Sequence, residues 1–373
     1  MATLKLVSAV IFRSLYIIPL LIGIASACEE PASPLMLSGL GVCSRGIPQH
    51  SGINGSCNDL SFRDSIDAHS NLPVMEQMVE MSSETSVYYV KQAPGKGLGA
   101  FAKHRLPRGT PILVEEPLFS VPMPEMVPGQ GFKILDMIAS IEAEFGELLP
   151  DQKEEFLDLH EFHFPSEESP NKLMTIFRSN AYNTGDNHVG IFPKIARINH
   201  SCKPNSGNWW SEMTDQRVIY ASRDIEKDEE ITVSYIPLLK TTKDRQARLQ
   251  QYGFTCDCSA CNSLESDKRR VRISDSMDDL EQKQDSPSKK ASINEKRISK
   301  AVKLVEMIEA EGLSDYLDRA YHLAAVFNQQ AGDLREAIKW ATKEWEILAM
   351  AEMDSAEALK ALNFIQLLNA EST

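Results

Sequence analysis

Asn199-His200-Ser201-Cys202-Lys203-Pro204-Asn205 places two amides, an imidazole and a thiol in one short stretch with a proline near its end. A plain loop does not require that density of donors and acceptors. As ordinary structure, Asn199 would be a turn former, His200 a satisfied buried imidazole and Cys202 a small hydrophobe. The alternative is a binding site, and a second motif favours it. Cys256-Asp257-Cys258-Ser259-Ala260-Cys261 offers three thiolates, whereas a structural zinc site takes four protein ligands. Cys202 supplies the fourth and accounts for every cysteine beyond residue 60. Two disulfides are the competing arrangement, and the spacing of Cys256 and Cys258 would strain them.

Outward from this stretch the text is strand-like. From Val87, VYYVKQAPGKGLGAFAKHRLPRGTPILVEEPLF alternates β-branched and aromatic runs with Gly and Pro turns, the pattern of short strands in hairpins. Gly97-Leu98-Gly99 lets backbone approach a ligand closely, although a hairpin turn without a ligand would read the same way. Between about residues 129 and 184, ILDMIASIEAEFGELL and KLMTIFRSNAY show apolar spacing near 3.6, which predicts inserted helices. Strand character returns over Arg217–Ser222 and Glu230–Ile236, with Lys227-Asp228 as the turn between them.

Residues 263–296 are charged and carry Ser and Pro; they read as a solvated linker without an apolar face. Over 297–370, KAVKLVEMIEAEG and the run from Tyr316 predict antiparallel helix pairs, broken at Gly312 and Gly332-Asp333. Ala320, Ala324, Phe327, Gly332, Ala337 and Trp340 resemble a tetratricopeptide-like unit. Too few repeats are present to stand alone, so this bundle is expected to dock on the central domain.

At the other end, residues 1–27 carry Lys5, Arg13, an apolar run from Leu15 and Ala25-Ser26-Ala27, the pattern of a cleavable secretory signal. An uncleaved membrane anchor and a misassigned start are the alternatives. Residues 28–86 are rich in Ser, Gly, Pro and Asn and read as a flexible tether, in which secretion would allow a Cys43–Cys57 disulfide. The whole chain has 373 residues, enough for two or three domains, and is 42% hydrophobic and 25% charged, which excludes wholesale disorder. With 39 Lys and Arg against 53 Asp and Glu, its net charge of −14 argues against nucleic-acid binding and for a basic partner.

KGLG, then NHSCKPN, then DEEITVSY, then RQARLQQYGFTCDCSAC is an order of motifs that resembles the SET-domain protein lysine methyltransferases, specifically the SMYD-like branch with its CxCxxC post-SET segment. The likeness spans about Tyr88–Asn262. The MYND finger of SMYD proteins is absent, because Cys28, Cys43 and Cys57 lack its paired spacing, so fungal SET proteins without MYND are the nearer comparison. Asp228 replaces a glycine usual in the family, which an Asp tolerates in a left-handed turn.

The resemblance implies an α+β fold: a β-rich SET domain over 87–236 with a helical insert and a pseudoknot, a zinc-bound post-SET loop over 237–262, and a helical TPR-like bundle. It implies S-adenosylmethionine against Lys96, Gly97, Leu98 and Gly99, with Asn180, Asn199 and His200 as further contacts and Phe254 and Tyr252 stacked on the adenine. Tyr235 would be catalytic, though by itself it reads equally as a strand aromatic. Structural zinc on Cys202, Cys256, Cys258 and Cys261 would hold the post-SET loop over the cofactor. The implied activity is methyl transfer to a lysine of a basic, histone-like protein, in nucleus or cytoplasm, whereas residues 1–27 point to the secretory pathway. Two other classes remain open: a non-catalytic binding module, and a secreted or tethered interaction protein that inherited the fold.

Overall fold

The computed structural model describes residues 86–127 and 131–372. These lie in one of the two units into which the chain divides. The segment read as signal or anchor, the tether up to Thr85, and Cys28, Cys43 and Cys57 fall outside the described residues.

Strands come first. A hairpin joins β1 (Tyr88–Ala93) to β2 (Gly97–Ala102), paired from Tyr88↔Ala102 to Ala93↔Gly97. Its turn needs glycine, since Gly95 and Gly97 have φ of 72° and 74°. Then follow β3 (Pro111–Glu115), β4 (Ser120–Pro122), β5 (Met126–Val127) and β6 (Gly131–Phe132). The inserted helices are α1 (Ile134–Glu147), α2 (Pro150–Leu157) and α3 (Lys172–Asn180). They close over Phe119, Phe156 and Phe177, whose rings lie 5.5 and 5.8 Å from that of Phe119.

Next come β7 (Ala181–Asn183), β8 (His188–Ile191), β9 (Asn199–His200), β10 (Ser206–Ser211), β11 (Gln216–Ala221) and β12 (Thr232–Val233). β11 lies between β3 and β10, and β8 between β4 and β7, all antiparallel. β12 pairs in parallel with β9, Thr232 opposite Asn199 and Val233 opposite His200. Parallel neighbours need a long crossover; here the chain builds β10 and β11 before returning. The turn at Asp228 is left-handed, with φ of 65°. β11 and β12 are therefore not a hairpin, although their sequences alternate like one.

A solvated linker over 263–296 does not form. After α4 (Thr242–Leu249), helix α5 runs over Leu264–Gln284 and α6 over Ala291–Glu311. Ser263 caps α5 by accepting from Ser266 N at 3.2 Å, and Glu265 and Asp267 lie in its first turn, where the helix dipole favours them. Ser266, Arg270, Ile273, Met277 and Leu280 form one buried stripe. Two of its members are polar, which lowers the apolar signal and hides the stripe among charges. Burial of the three apolar ones contributes about 1.5–3 kcal/mol each.

α7 (Leu317–Ala331), α8 (Leu334–Ala351) and α9 (Ala356–Ser372) complete the chain. Ala320 and Ala324 of α7 and Ala337 of α8 are fully buried, so the paired helices pack closely. One apolar core runs from Ala100, Ile112 and Val233 through Ile273 and Met277 to Phe327, so the helical bundle is docked on the strands. Glu352 adds polar ties across this junction, accepting from Trp209 Nε1 at 3.2 Å and Ser211 Oγ at 2.5 Å. No helix among the described residues is long and apolar enough to cross a membrane.

Candidate catalytic and metal site

Glycine lets the β1–β2 hairpin touch the β9 stretch. A Cβ at Gly99 would lie 2.8 Å from Asn199 Nδ2 and 3.0 Å from Glu230 Oε1, closer than side chains tolerate. Asn199 Nδ2 donates to Leu98 O at 3.0 Å and to Glu230 Oε1 at 2.8 Å, and Lys96 Nζ pairs with Glu230 Oε2 at 2.7 Å. Lys96, Leu98, Gly99 and Asn199 thus meet around one carboxylate. A Cβ on Gly97 would meet nothing within 4 Å, so space lies open beside the hairpin there.

Asn205 fixes the meeting of β9 and β12 from below. Its Nδ2 donates to Glu230 O at 2.9 Å and to Glu229 Oε1 at 3.1 Å, and its Oδ1 accepts from Thr232 N at 2.8 Å. Sequence reasoning placed Asn205 in the motif but gave it no role. Its proximity to β12 depends on chain return, which no local pattern displays.

The sulfurs of Cys202, Cys256, Cys258 and Cys261 all lie within 4.8 Å of one another, with Cys202 and Cys261 3.6 Å apart. Four thiolates held tetrahedrally at about 2.3 Å from a zinc ion are about 3.8 Å apart, so these residues could hold one metal ion. Hydrogen bonding within the cluster lowers the Cys258 and Cys261 thiols and raises those of Cys202 and Cys256. The buried Arg245 guanidinium lies 3.7 Å from Cys261 Sγ and favours its thiolate. That guanidinium also pairs with Asp267 at 3.2 Å, tying α4 to α5.

Tyr235 lies two residues beyond β12 rather than at its end. Its N–H donates to His200 Nδ1 at 3.0 Å instead of to a strand, and its hydroxyl donates to Ile198 O at 2.6 Å. Burial pushes its phenol well above the usual 10, and Tyr182, Tyr252 and Glu230 reinforce the shift, so Tyr235 stays neutral. Burial also lowers His200 to about 3, which keeps its ring uncharged. Tyr252 lies 5.3 Å and Phe254 6.4 Å from the Tyr235 ring, and Phe254 lies 6.1 Å from His200. Parallel pairing of β9 and β12 and folding of the cysteine segment thus gather a phenol, an imidazole and two further aromatics beside four sulfurs.

The SET domain family matches residues 97–236, the span that contains β2, the β9 stretch and Tyr235. Over these residues the chain is similar to SET domains. It is similar to the histone-lysine N-methyltransferase set5 of Schizosaccharomyces pombe, 33% identical over 50% of this chain and 54% of that protein. It is also similar to human N-lysine methyltransferase SMYD2, 35% identical over 31% of this chain and 29% of that protein. Human histone-lysine N-methyltransferase SMYD3 is 39% identical over 21% of this chain and 18% of its own. The chain therefore spans about half of the first relative's length and under a third of the others.

The helical insert reaches this site by a route that no local sequence pattern displays. His160 Nε2 lies 3.0 Å from Tyr252 O, and the His160 carbonyl accepts from Asn180 Nδ2 at 2.7 Å. The second Asn180 contact is Ile176 O, also at 2.7 Å. Asn180 Nδ2 is therefore committed to two backbone carbonyls and supports the Tyr252 segment through His160. Next to it, Gly253 has φ of 78°, and a Cβ there would lie 2.3 Å from the Phe162 ring. Arg178 fixes that loop, donating to Phe162 O at 3.0 Å and pairing with Glu167 at 2.5 Å. Gly253→Ala should cost about 1–3 kcal/mol, because left-handed backbone and ring collision add. A thermal melt that matches the wild type would show that the Phe162 loop yields freely.

Proposed function

We propose that this protein transfers a methyl group from S-adenosylmethionine to a lysine side chain of a protein, with a structural zinc ion on Cys202, Cys256, Cys258 and Cys261. The observation that carries the reading is the meeting of Tyr235, His200, Tyr252 and Phe254 beside the four sulfurs in a chain that matches the SET domain family over residues 97–236. Relatives named as lysine methyltransferases support it.

The residues fit both groups. Four sulfurs satisfy tetrahedral zinc and leave no position for water, which suits a structural ion. Open space beside Gly97 and the half-buried ring of Phe254, with Tyr252 buried beside it, suit a nucleoside with a charged tail. Lys96, Gly97, Leu98, Gly99, Asn199 and the His200 segment would border it. S-adenosylmethionine would supply a methyl group already activated by its sulfonium charge.

What remains for the chain is alignment and proton control. Tyr235, neutral and held at Ile198 O, presents a phenol oxygen fixed in position. Such an oxygen orients an incoming amine in line with the methyl group without moving during the reaction. Burial of the lysine among these aromatics disfavours its ammonium form and leaves the lone pair free to attack. The net charge of −14 favours a basic segment as substrate, a histone tail among them.

Incubation of the purified chain with methyl-labelled cofactor and a panel of basic proteins tests the reading. Label is expected on lysine; absence of both transfer and cofactor binding would overturn it. Metal content is a second check. Stripping zinc with a chelator should abolish cofactor binding, since Tyr252–Cys261 loses its anchor. Undiminished binding in metal-free protein would separate the sulfurs from the cofactor site.

A further inference from the structure

The His200 imidazole contacts Tyr235 with one nitrogen and the sulfur cluster with the other. Nδ1 lies 3.0 Å from the backbone nitrogen of Tyr235, and Nε2 lies 3.3 Å from Cys202 Sγ. A backbone N–H can only donate, so Nδ1 must accept and carry no proton. A neutral ring then holds its single proton on Nε2, where it points at sulfur. With Cys202 as a thiolate, the form a metal binds, one tautomer satisfies both contacts and the other satisfies neither. The ring is 3% exposed, so water does not compete for either nitrogen.

We infer that His200 is a positioning residue that couples the four-sulfur metal site to the phenol of Tyr235, by donating Nε2–H to Cys202 Sγ and accepting the Tyr235 N–H at Nδ1. The inference rests on the methyltransferase reading for its effect on turnover, but not for its effect on the metal. Thiolates bound to a metal remain hydrogen-bond acceptors, and donors to them tune affinity. At its other end the ring fixes the main chain of Tyr235, while Ile198, two residues before His200, holds the hydroxyl. Both ends of Tyr235 are therefore set by the same segment, and the ring anchors that segment to sulfur. A shift of Cys202 on metal loss would reach the phenol through two hydrogen bonds. This assigns the imidazole a task separate from ligand binding, since neither ring nitrogen is left for a ligand.

Two variants divide the two contacts. His200→Gln keeps a donor near the Nε2 position and loses the acceptor for Tyr235. His200→Asn keeps a polar group near Nδ1 and loses the donor to sulfur. Full-length variants are to be loaded with Co(II) or cadmium and titrated with a chelator, and methyl transfer is followed on zinc-loaded protein. His200→Asn should release metal about 10–100-fold more readily and shift the thiolate-to-Co(II) absorption. His200→Gln should retain metal and lose about tenfold in kcat with little change in KM.

Parallel loss of metal and turnover in both variants would overturn the inference, as would wild-type behaviour in both. Imidazole nitrogen NMR on the cadmium-loaded wild type needs no variant that folds. A proton on Nε2 of His200, coupled to cadmium through the sulfur, is expected; a proton on Nδ1 refutes the assignment. If the wild type transfers no methyl group, the functional reading fails while the metal and tautomer results still decide this one.

Discussion

Tyr235→Phe is expected to lower methyl transfer by about 10²-fold while zinc and cofactor binding stay at wild-type levels. The change removes one oxygen and nothing else. Packing against His200, Tyr252 and Phe254 is preserved, because those are ring contacts at 5.3–6.4 Å. Stability should fall by only about 1 kcal/mol, from the loss of the hydroxyl bond to Ile198 O. The two numbers differ in origin: the first concerns alignment of an amine during reaction, the second a hydrogen bond in the resting fold. A peptide assay under saturating cofactor, with a melt of the same sample, measures both. Turnover within a factor of two of wild type would remove Tyr235 from the chemistry.

Counting made the metal site legible. Cys256, Cys258 and Cys261 are one short of the four ligands a structural metal site takes, Cys202 is the remaining candidate, and the four sulfurs lie together. The hairpin glycines were readable for a similar reason, since a left-handed turn restricts residue type. What stayed hidden depended on backbone partners. Asn205 and His160 act on carbonyls and amides far along the chain, and any sequence supplies those. The loop His160-Glu161-Phe162-His163-Phe164 is unusually aromatic for a connection, which is the one local signal that it covers something. Helix α5 was missed because Ser266 and Arg270 occupy buried positions normally read as apolar. A hydropathy pattern treats a buried arginine as solvent-facing; its partners Glu311, Leu238 O and Cys202 O appear only in three dimensions.

That arginine should be the most sensitive structural residue outside the site. Arg270 is fully buried, and Glu311 is 5% exposed. Its Nε pairs with Glu311 at 3.0 Å, its Nη1 donates to Leu238 O at 2.9 Å, and its Nη2 donates to Cys202 O at 2.7 Å. One side chain of α5 therefore binds α6, the segment after Tyr235 and the first of the four clustered cysteines. Burial alone would raise Glu311, but the Ser266 hydroxyl and the Arg270 and Arg269 guanidiniums hold it below the usual carboxylate range. Arg270→Ala leaves the Leu238 and Cys202 carbonyls without this donor and Glu311 with only Ser266 and Arg269, and should cost about 3–5 kcal/mol. Urea unfolding should show a lower midpoint at unchanged m.

The double variant Arg270→Met with Glu311→Leu removes both charges and should recover part of the loss, because a buried pair contributes little beyond an apolar replacement. Lysine at 270 should not substitute, since a single ammonium cannot serve three acceptors spread around a planar fork. If the double variant is as unstable as Arg270→Ala, the carbonyl bonds rather than the ion pair hold α5 to the strands. A loss below about 1 kcal/mol in Arg270→Ala would instead assign docking to Ile273, Met277 and Leu280 alone. Metal retention separates these outcomes further: only a guanidinium that fixes the Cys202 carbonyl makes zinc easier to strip when it is removed.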